Sequence, residues 1–251
     1  MAHDLVDRGH EVLVYAGYLD ENRTPLETWV ETDPRGVVVR WIVTTPWTSW
    51  SDPLNTFNPP VAEDFESWLA DVRPDVVHLH SLQTLGGGMV RAAKAAGAAV
   101  VVTMHDFWWT CARQFLTPAD MRPCSVVVDC GNCPCAVSHE WLERRNAHLQ
   151  PMLDGADVIL APSASSASVL IANGIDPRKL RVDENGLPPG EALDGSLSVR
   201  RNELPLRLMD AGGPAPITGM SHMPDALPHT PTAGSARHTS QGTGAHRHDP
   251  T

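Results

Sequence analysis

Three groups of residues have types and spacings that could do chemistry. "VVVTMHDFWWTC", residues 100–111, ends an apolar run in His105, Asp106, three bulky aromatics and Cys111. A histidine and a carboxylate at the end of a buried strand can hydrogen-bond a polar ligand and hold charge near a reacting atom. "DVVHLHSL", residues 75–82, supplies two more imidazoles, His78 and His80, followed by Ser81. Beyond these, Cys111, Cys124, Cys130 and Cys133 read C-x12-C-x5-C-x2-C, with Cys135 close by. In "CGNC" a short turn lets two thiolates converge on one tetrahedral ion, so a structural Zn is one reading of the cluster. The first pair is spaced more widely than in a zinc ribbon. Reduced thiols packed as small hydrophobes are a second reading. A Cys-x-x-Cys redox pair is a third, without the thioredoxin-like surroundings it would need.

These residues must be positioned by the elements around them. Residues 1–9 read as a short helix with Leu5 and Val6 on an apolar face and Gly9 as its stop. "EVLVYAG" and "GVVVRWIV" read as strands, and residues 44–60 as a Pro- and Ser-rich loop. Val61, Phe65, Trp68, Leu69 and Val72 share one helical face that Pro74 ends. "DVVHLH", "AVVVTM" and "DVILAPS" are further strands, separated by a glycine-rich turn feeding an Ala-rich helix and by the helix of "VSHEWLERRNAHLQPMLDGA". Ser163 or Ser165 would cap a helix at 166–173, and "KLRVDENGL" gives a last short strand.

Helices alternating with strands that are apolar on both faces imply an α/β fold, a parallel sheet covered by helices on both sides. Ligands bind such sheets beyond the carboxyl ends of the strands. That rule singles out Ala16–Gly17, Thr44–Trp47, His80–Leu85, His105–Cys111 and Pro162–Ser163. Each candidate also has a plain structural reading. His105 could cap backbone groups at the strand end, and Asp106 could cap the following turn. Trp108 and Trp109 read as packing for the loop before they read as ligand-stacking platforms. His80 with Ser81 is a ligand-binding candidate, whereas His78 reads as a core histidine with a partner. Gly86, Gly87 and Gly88 could open a helix whose free N–H groups face an anion, or simply make a flexible loop.

Composition narrows the classes. The chain has 251 residues, a formal charge of −11 and 42% hydrophobic residues, with Lys only at Lys94 and Lys179. An acidic chain lacks the basic face that nucleic acid requires. No run approaches the roughly 18 apolar residues of a membrane span, and "MAHDLVDRGH" has no apolar signal core. A cytoplasmic protein is the expectation, with peripheral membrane contact left open. From about residue 198 the sequence is dense in Pro, Gly, Ser, Thr and His, and it reads as a disordered tail.

"DRGHEVLVYAG", "RPDVVHLHSL", "VVVTMHDFWWTC", "CGNC", "ADVILAPS" and "NGIDPRKLRVDENGL" occur in this order. Together they resemble the N-terminal, acceptor-side half of the retaining glycosyltransferases of family 4, over roughly residues 1–190. The resemblance implies a GT-B architecture with a Rossmann-like N-terminal domain, and a hexose moved from a nucleotide sugar to a glycan, lipid or small-molecule acceptor with retention. No cofactor is implied for the chemistry. His105 maps to the histidine near the transferred sugar, so the resemblance makes it the catalytic candidate; His80, Ser81 and Asp106 fall on the acceptor side. The spaced cysteines after the His-Asp segment would be a structural knot.

Two departures stand out. Family members begin with a strand and glycine turn before the "RGHEV" helix, whereas Met1 lies inside that helix. Lacking a central first strand, the sheet should show a gap between its neighbours. Residues 191–251 read as a linker, a remnant start of the donor domain in "LPLRLMDAGG", and the tail. Gly212 and Gly213 take the donor-side turn, and Thr218 stands where a lysine is expected. The expectation is a chain truncated at both ends. A non-catalytic acceptor-binding remnant and a metal-stabilised interaction module are the alternatives.

Overall fold

The computed structural model describes residues 1–20, 22–45, 51–117, 124–133 and 138–186, with Cys130 by its backbone alone, and the backbone of two short strands further on. Helix α1 (Ala2–Asp7) buries none of its residues. Of the apolar face expected of Leu5 and Val6, Leu5 is exposed and Val6 is partly buried. Its stop is as expected. Gly9 takes φ +88°, and His10 N–H returns to Leu5 C=O at 3.1 Å, a left-handed turn that glycine enters without a Cβ penalty.

Seven strands of the first unit, residues 1–185, form two sheets. In one, β1 (Leu13–Leu19) pairs parallel with β3 (Val38–Thr44), which pairs antiparallel with β2 (Thr28–Thr32). In the other, β4 (Val76–His80), β5 (Ala99–Thr103), β6 (Val158–Ala161) and β7 (Leu180–Val182) are parallel throughout. The all-parallel expectation thus holds for the second sheet and is corrected for the first. The cause is β2, an edge strand with only one of its positions even partly buried, so it carries no apolar alternation by which to be read. No strand pair joins β1 to β4 among the described residues.

Four helices pack on these strands. α2 (Pro59–Val72) starts with Pro at its first position, where a missing N–H costs nothing. It buries Val61, Phe65 and Leu69 and ends on left-handed Arg73 just before Pro74. α3 (Gly88–Ala95) follows the three glycines, α4 (His139–Asp154) is capped by Ser138, and α5 (Ala164–Ala172) by Ser163. One core joins Val61, Val90, Val100, Leu149 and Leu170, all fully buried. Each such side chain contributes about 1.5–3 kcal/mol relative to exposure.

The glycines before α3 have a packing explanation. A Cβ at Gly88 would fall 2.3 Å from the Phe57 ring, and one at Gly86, where φ is +91°, 2.8 Å from Asn58 N. Gly87 N–H donates to Thr56 C=O at 2.7 Å. The N–H groups of Gly86, Gly87 and Val90 donate to the carbonyls of Leu82, Thr56 and Gly87, which favours the loop reading over the anion reading.

The second unit, residues 186–251, is described only by β8 (Leu208–Asp210) and β9 (His238–Ser240), which pair in parallel. The expected disordered tail otherwise lies outside the described residues, as do Gly212, Gly213 and Thr218.

Candidate functional site

The site grows from the alternation of two neighbouring strands. In β4, Val77 and Leu79 enter the core, so His78 and His80 project to the other, half-buried face. In β5, Val100 and Val102 are buried, and Thr103 shares the face of the histidines. The register sets His80 beside Thr103. The chain then leaves β5 through Met104 and brings His105 back toward β4.

Three imidazoles meet there. His80 Nδ1 lies 2.9 Å from His105 Nε2, with the rings stacked at 5.2 Å and 23°. The His78 ring centre is 4.1 Å from that of His80, and His78 Nε2 is 2.7 Å from Thr103 Oγ1. Burial disfavours the imidazolium, and the neighbouring His78 and His105 add to this, taking the pKa of His80 to about 4. Burial also lowers His78, opposed by the negative charge of Asp183 and reinforced by His105. His78 is thus the partnered histidine the sequence implied.

Both readings of Asp106 find support. Its Oδ1 accepts the Trp108 N–H at 2.8 Å, capping the turn. Burial nevertheless raises its pKa above the ordinary carboxylate value, against the pull of that N–H and of His105. Asp106 also lines a shallow recess with Ser81, Gln83, Thr103 and His105, where Leu82, Met104, Trp108 and Trp109 give the apolar lining. The two tryptophans are 5% and 7% exposed and belong to the core. They pack, as expected, and hold the recess in shape.

Ser81 is exposed and has φ 41°, an unfavourable region for a residue with a Cβ. This turn sends the chain directly from β4 into the 3-10 turn Leu82–Thr84 and carries Gln83 to the recess. Gln83 Oε1 is buried and has no hydrogen-bond partner among the described residues. Buried polar atoms are nearly always satisfied, so this orphaned carboxamide oxygen beside the recess is unusual. Sequence reading missed Gln83; its place within His80–Leu85, at the strand end, was the available signal.

The aromatic insert is anchored by α4, through residues the sequence did not single out. Arg145 is 1% exposed, and its guanidinium donates to Trp108 C=O at 2.7 Å and lies 5.3 Å from the Trp108 ring centre. Asn146 Nδ2 donates to Thr110 C=O at 3.1 Å. His148 Nδ1 is 2.6 Å from Thr56 Oγ1, which donates to Asp52 at 2.7 Å. Since the Thr56 hydroxyl proton goes to the carboxylate, His148 must donate.

Cys111, Cys124 and Cys133 are free thiols, and among the described residues no group of three or more His, Cys, Asp or Glu able to hold a metal is found. Cys111 N–H turns back to Phe107 C=O inside the aromatic turn, whereas Cys124 N–H bonds to Leu116 C=O. Cys130 enters a 3-10 turn capped by Asp129. The Cys130 side chain and all of Cys135 lie outside the described residues.

At the other strand ends, Gly17 is packed tightly: a Cβ there would meet Leu85 at 3.1 Å and Thr44 at 3.2 Å. Thr44 Oγ1 is a second buried atom without a partner among the described residues. Ser163 is spent on capping, accepting Ser166 N–H at 3.1 Å.

No helix among the described residues is long and apolar enough to cross a membrane. A search of curated proteins returned no match. A family model, Glycosyltransferase Family 4, matches residues 1–191. The ordered motifs, the Rossmann-like parallel sheet and this match over most of the chain agree: the chain belongs to glycosyltransferase family 4.

Proposed function

We propose that this protein transfers a hexose from a nucleotide-activated sugar to an acceptor hydroxyl, with retention at the anomeric carbon. The single observation that carries the reading is the recess at the carboxyl ends of β4 and β5. There His105, Asp106, Ser81 and the unpartnered Gln83 oxygen converge at the place where parallel sheets take ligands. In this reading His105 contacts the transferred sugar and acts by position and hydrogen bonding, with no obligation to titrate. Ser81, Asp106 and Gln83 take the acceptor hydroxyls, with His80 beside them. In transfer, the anomeric carbon loses its bond to the nucleoside diphosphate and gains one to the acceptor oxygen, whose proton leaves with the diphosphate or to solvent. Gly212 and Gly213 are the proposed donor-side turn.

The test is transfer or hydrolysis of nucleotide sugars by the purified chain, compared with His105→Ala. Turnover that disappears in the variant supports the reading. Absence of both turnover and nucleotide-sugar binding sinks it for this chain. Acceptor binding without turnover would favour the non-catalytic alternative.

A further inference from the structure

We infer that His80 is a positioning residue, fixing the ring plane and tautomer of His105 through their shared hydrogen bond. The inference rests on the reading of His105 as the group that meets the transferred sugar. The bond is 2.9 Å from Nδ1 to Nε2, and the rings are stacked at 23°. His80 is itself held by His78, 4.1 Å away between ring centres, and His78 is pinned to Thr103 at 2.7 Å. The support therefore runs from two hydrogen-bonded strands to one imidazole on the following turn.

A neutral imidazole has one N–H and one lone pair. If His80 Nδ1 donates, His105 accepts at Nε2, and its own proton sits on Nδ1, ready to donate to a sugar oxygen. If His105 Nε2 donates, its Nδ1 offers a lone pair to a sugar hydroxyl. In both states Nδ1 is the one nitrogen of His105 left for a ligand. Adding one proton to the pair keeps the bond, because an imidazolium still donates to a neutral partner. A second proton sets two N–H groups against each other and removes it. The charged and titratable groups facing the pair are Asp106, on the turn after β5, and His78, on β4, which in turn feels Asp183 just beyond β7.

Nitrogen-15 NMR of the histidine rings in the full chain at one neutral pH tests this, using wild type, His80→Asn and His80→Phe. Asn carries a polar amide where Nδ1 lies, whereas Phe keeps the stacked ring without the bond. The expected wild-type result is one dominant tautomer of His105, with Nε2 in a hydrogen-bonded position. His80→Phe should replace it with a mixture of the two tautomers, while His80→Asn keeps the His105 Nε2 signal in its hydrogen-bonded position. A His105 tautomer ratio that is the same in wild type and His80→Phe overturns the inference. Should His80→Phe fail to fold, a mixed tautomer population in wild type overturns it equally. A single tautomer in a chain without sugar transfer supports the positioning role and counts only against the proposed reaction. If transfer is present, His80→Phe should displace the rate–pH profile and His80→Asn restore it.

Discussion

The two sheets of this domain meet the same packing demand in different ways. The four-stranded sheet buries alternate aliphatic residues completely, with Val100, Val102, Ile159 and Ala161 at most 2% exposed. The three-stranded sheet buries Ile42 and Val43 of β3 and adds polar and aromatic contacts. Asp64 of α2 accepts from Tyr15 Oη at 2.8 Å and from Arg40 Nη2 at 2.6 Å. On the opposite face Trp29 and Trp41 stack across β2 and β3, and both indoles donate to Glu31. The candidate site belongs to the first kind of sheet. A close-packed aliphatic support holds side chains at a strand end to the tolerance that positioning demands. The three-stranded sheet carries no such cluster of imidazoles among the described residues.

The sharpest way to break this contrast is at the site itself. His105→Ala should lower sugar transfer by about 100-fold or more while leaving the thermal midpoint nearly unchanged. A large fall in that midpoint would move His105 from the site into the packing. Leu149→Ala, in α4, should do the reverse. Removing a fully buried side chain should cost about 2–5 kcal/mol in urea unfolding. The polar sheet should respond less. Asp64→Ala leaves Tyr15 and Arg40 without their shared acceptor, and a loss of about 1–3 kcal/mol is expected. The same variant should let the Tyr15 hydroxyl ionise more readily in a spectrophotometric titration, since burial and then Asp64 hold its pKa well above the ordinary value. A loss matching that of Leu149→Ala would erase the distinction between the sheets.

Two smaller effects sharpen it. Ser163→Ala removes a cap at the end of β6 and should cost about 1 kcal/mol without touching transfer, because that strand end is spent on structure. The smallest effect is on pH. Burial favours neutral His80, so the unfolded chain binds the extra proton first as pH falls. The stabilising contribution is full above 6.5, the ordinary value, and is lost progressively as pH falls toward about 4. Solvent screening of this half-exposed ring keeps it small. Urea midpoints of wild type and His80→Phe across that range should converge toward the acid end.

Much of the fold was readable in order along the chain. Apolar runs bounded by Gly, Pro and Asp marked β1, β3, β4, β5 and β6, and Ser138 and Ser163 sit where helix starts require a cap. β2 escaped notice because an exposed edge strand need not alternate. The glycines before α3 were ambiguous in sequence, since a loop, an anion site and a close contact ask for the same residue. The Phe57 ring against Gly88 and the backbone bonds of Gly86 and Gly87 favour the close contact and the loop. The spacing of the cysteines was compatible with a cage and equally with separate packing roles; in the structure Cys111 is buried within the aromatic turn.

By itself the sequence determined the α/β class, the family, and the strand ends that hold the candidate residues. Periodicity, caps and ordered motifs are local properties, and a linear chain records them directly. The tertiary structure decided what those residues do with one another. His80 and His105 lie 25 positions apart, and only the parallel register of β4 and β5 puts their nitrogens at 2.9 Å. Gln83 is an ordinary turn residue until burial removes water from its oxygen. Arg145 resembles any helix arginine until α4 packs it against Trp108. Each of these depends on contacts between distant segments and on the loss of solvent, and neither is written in the spacing of residues along the chain.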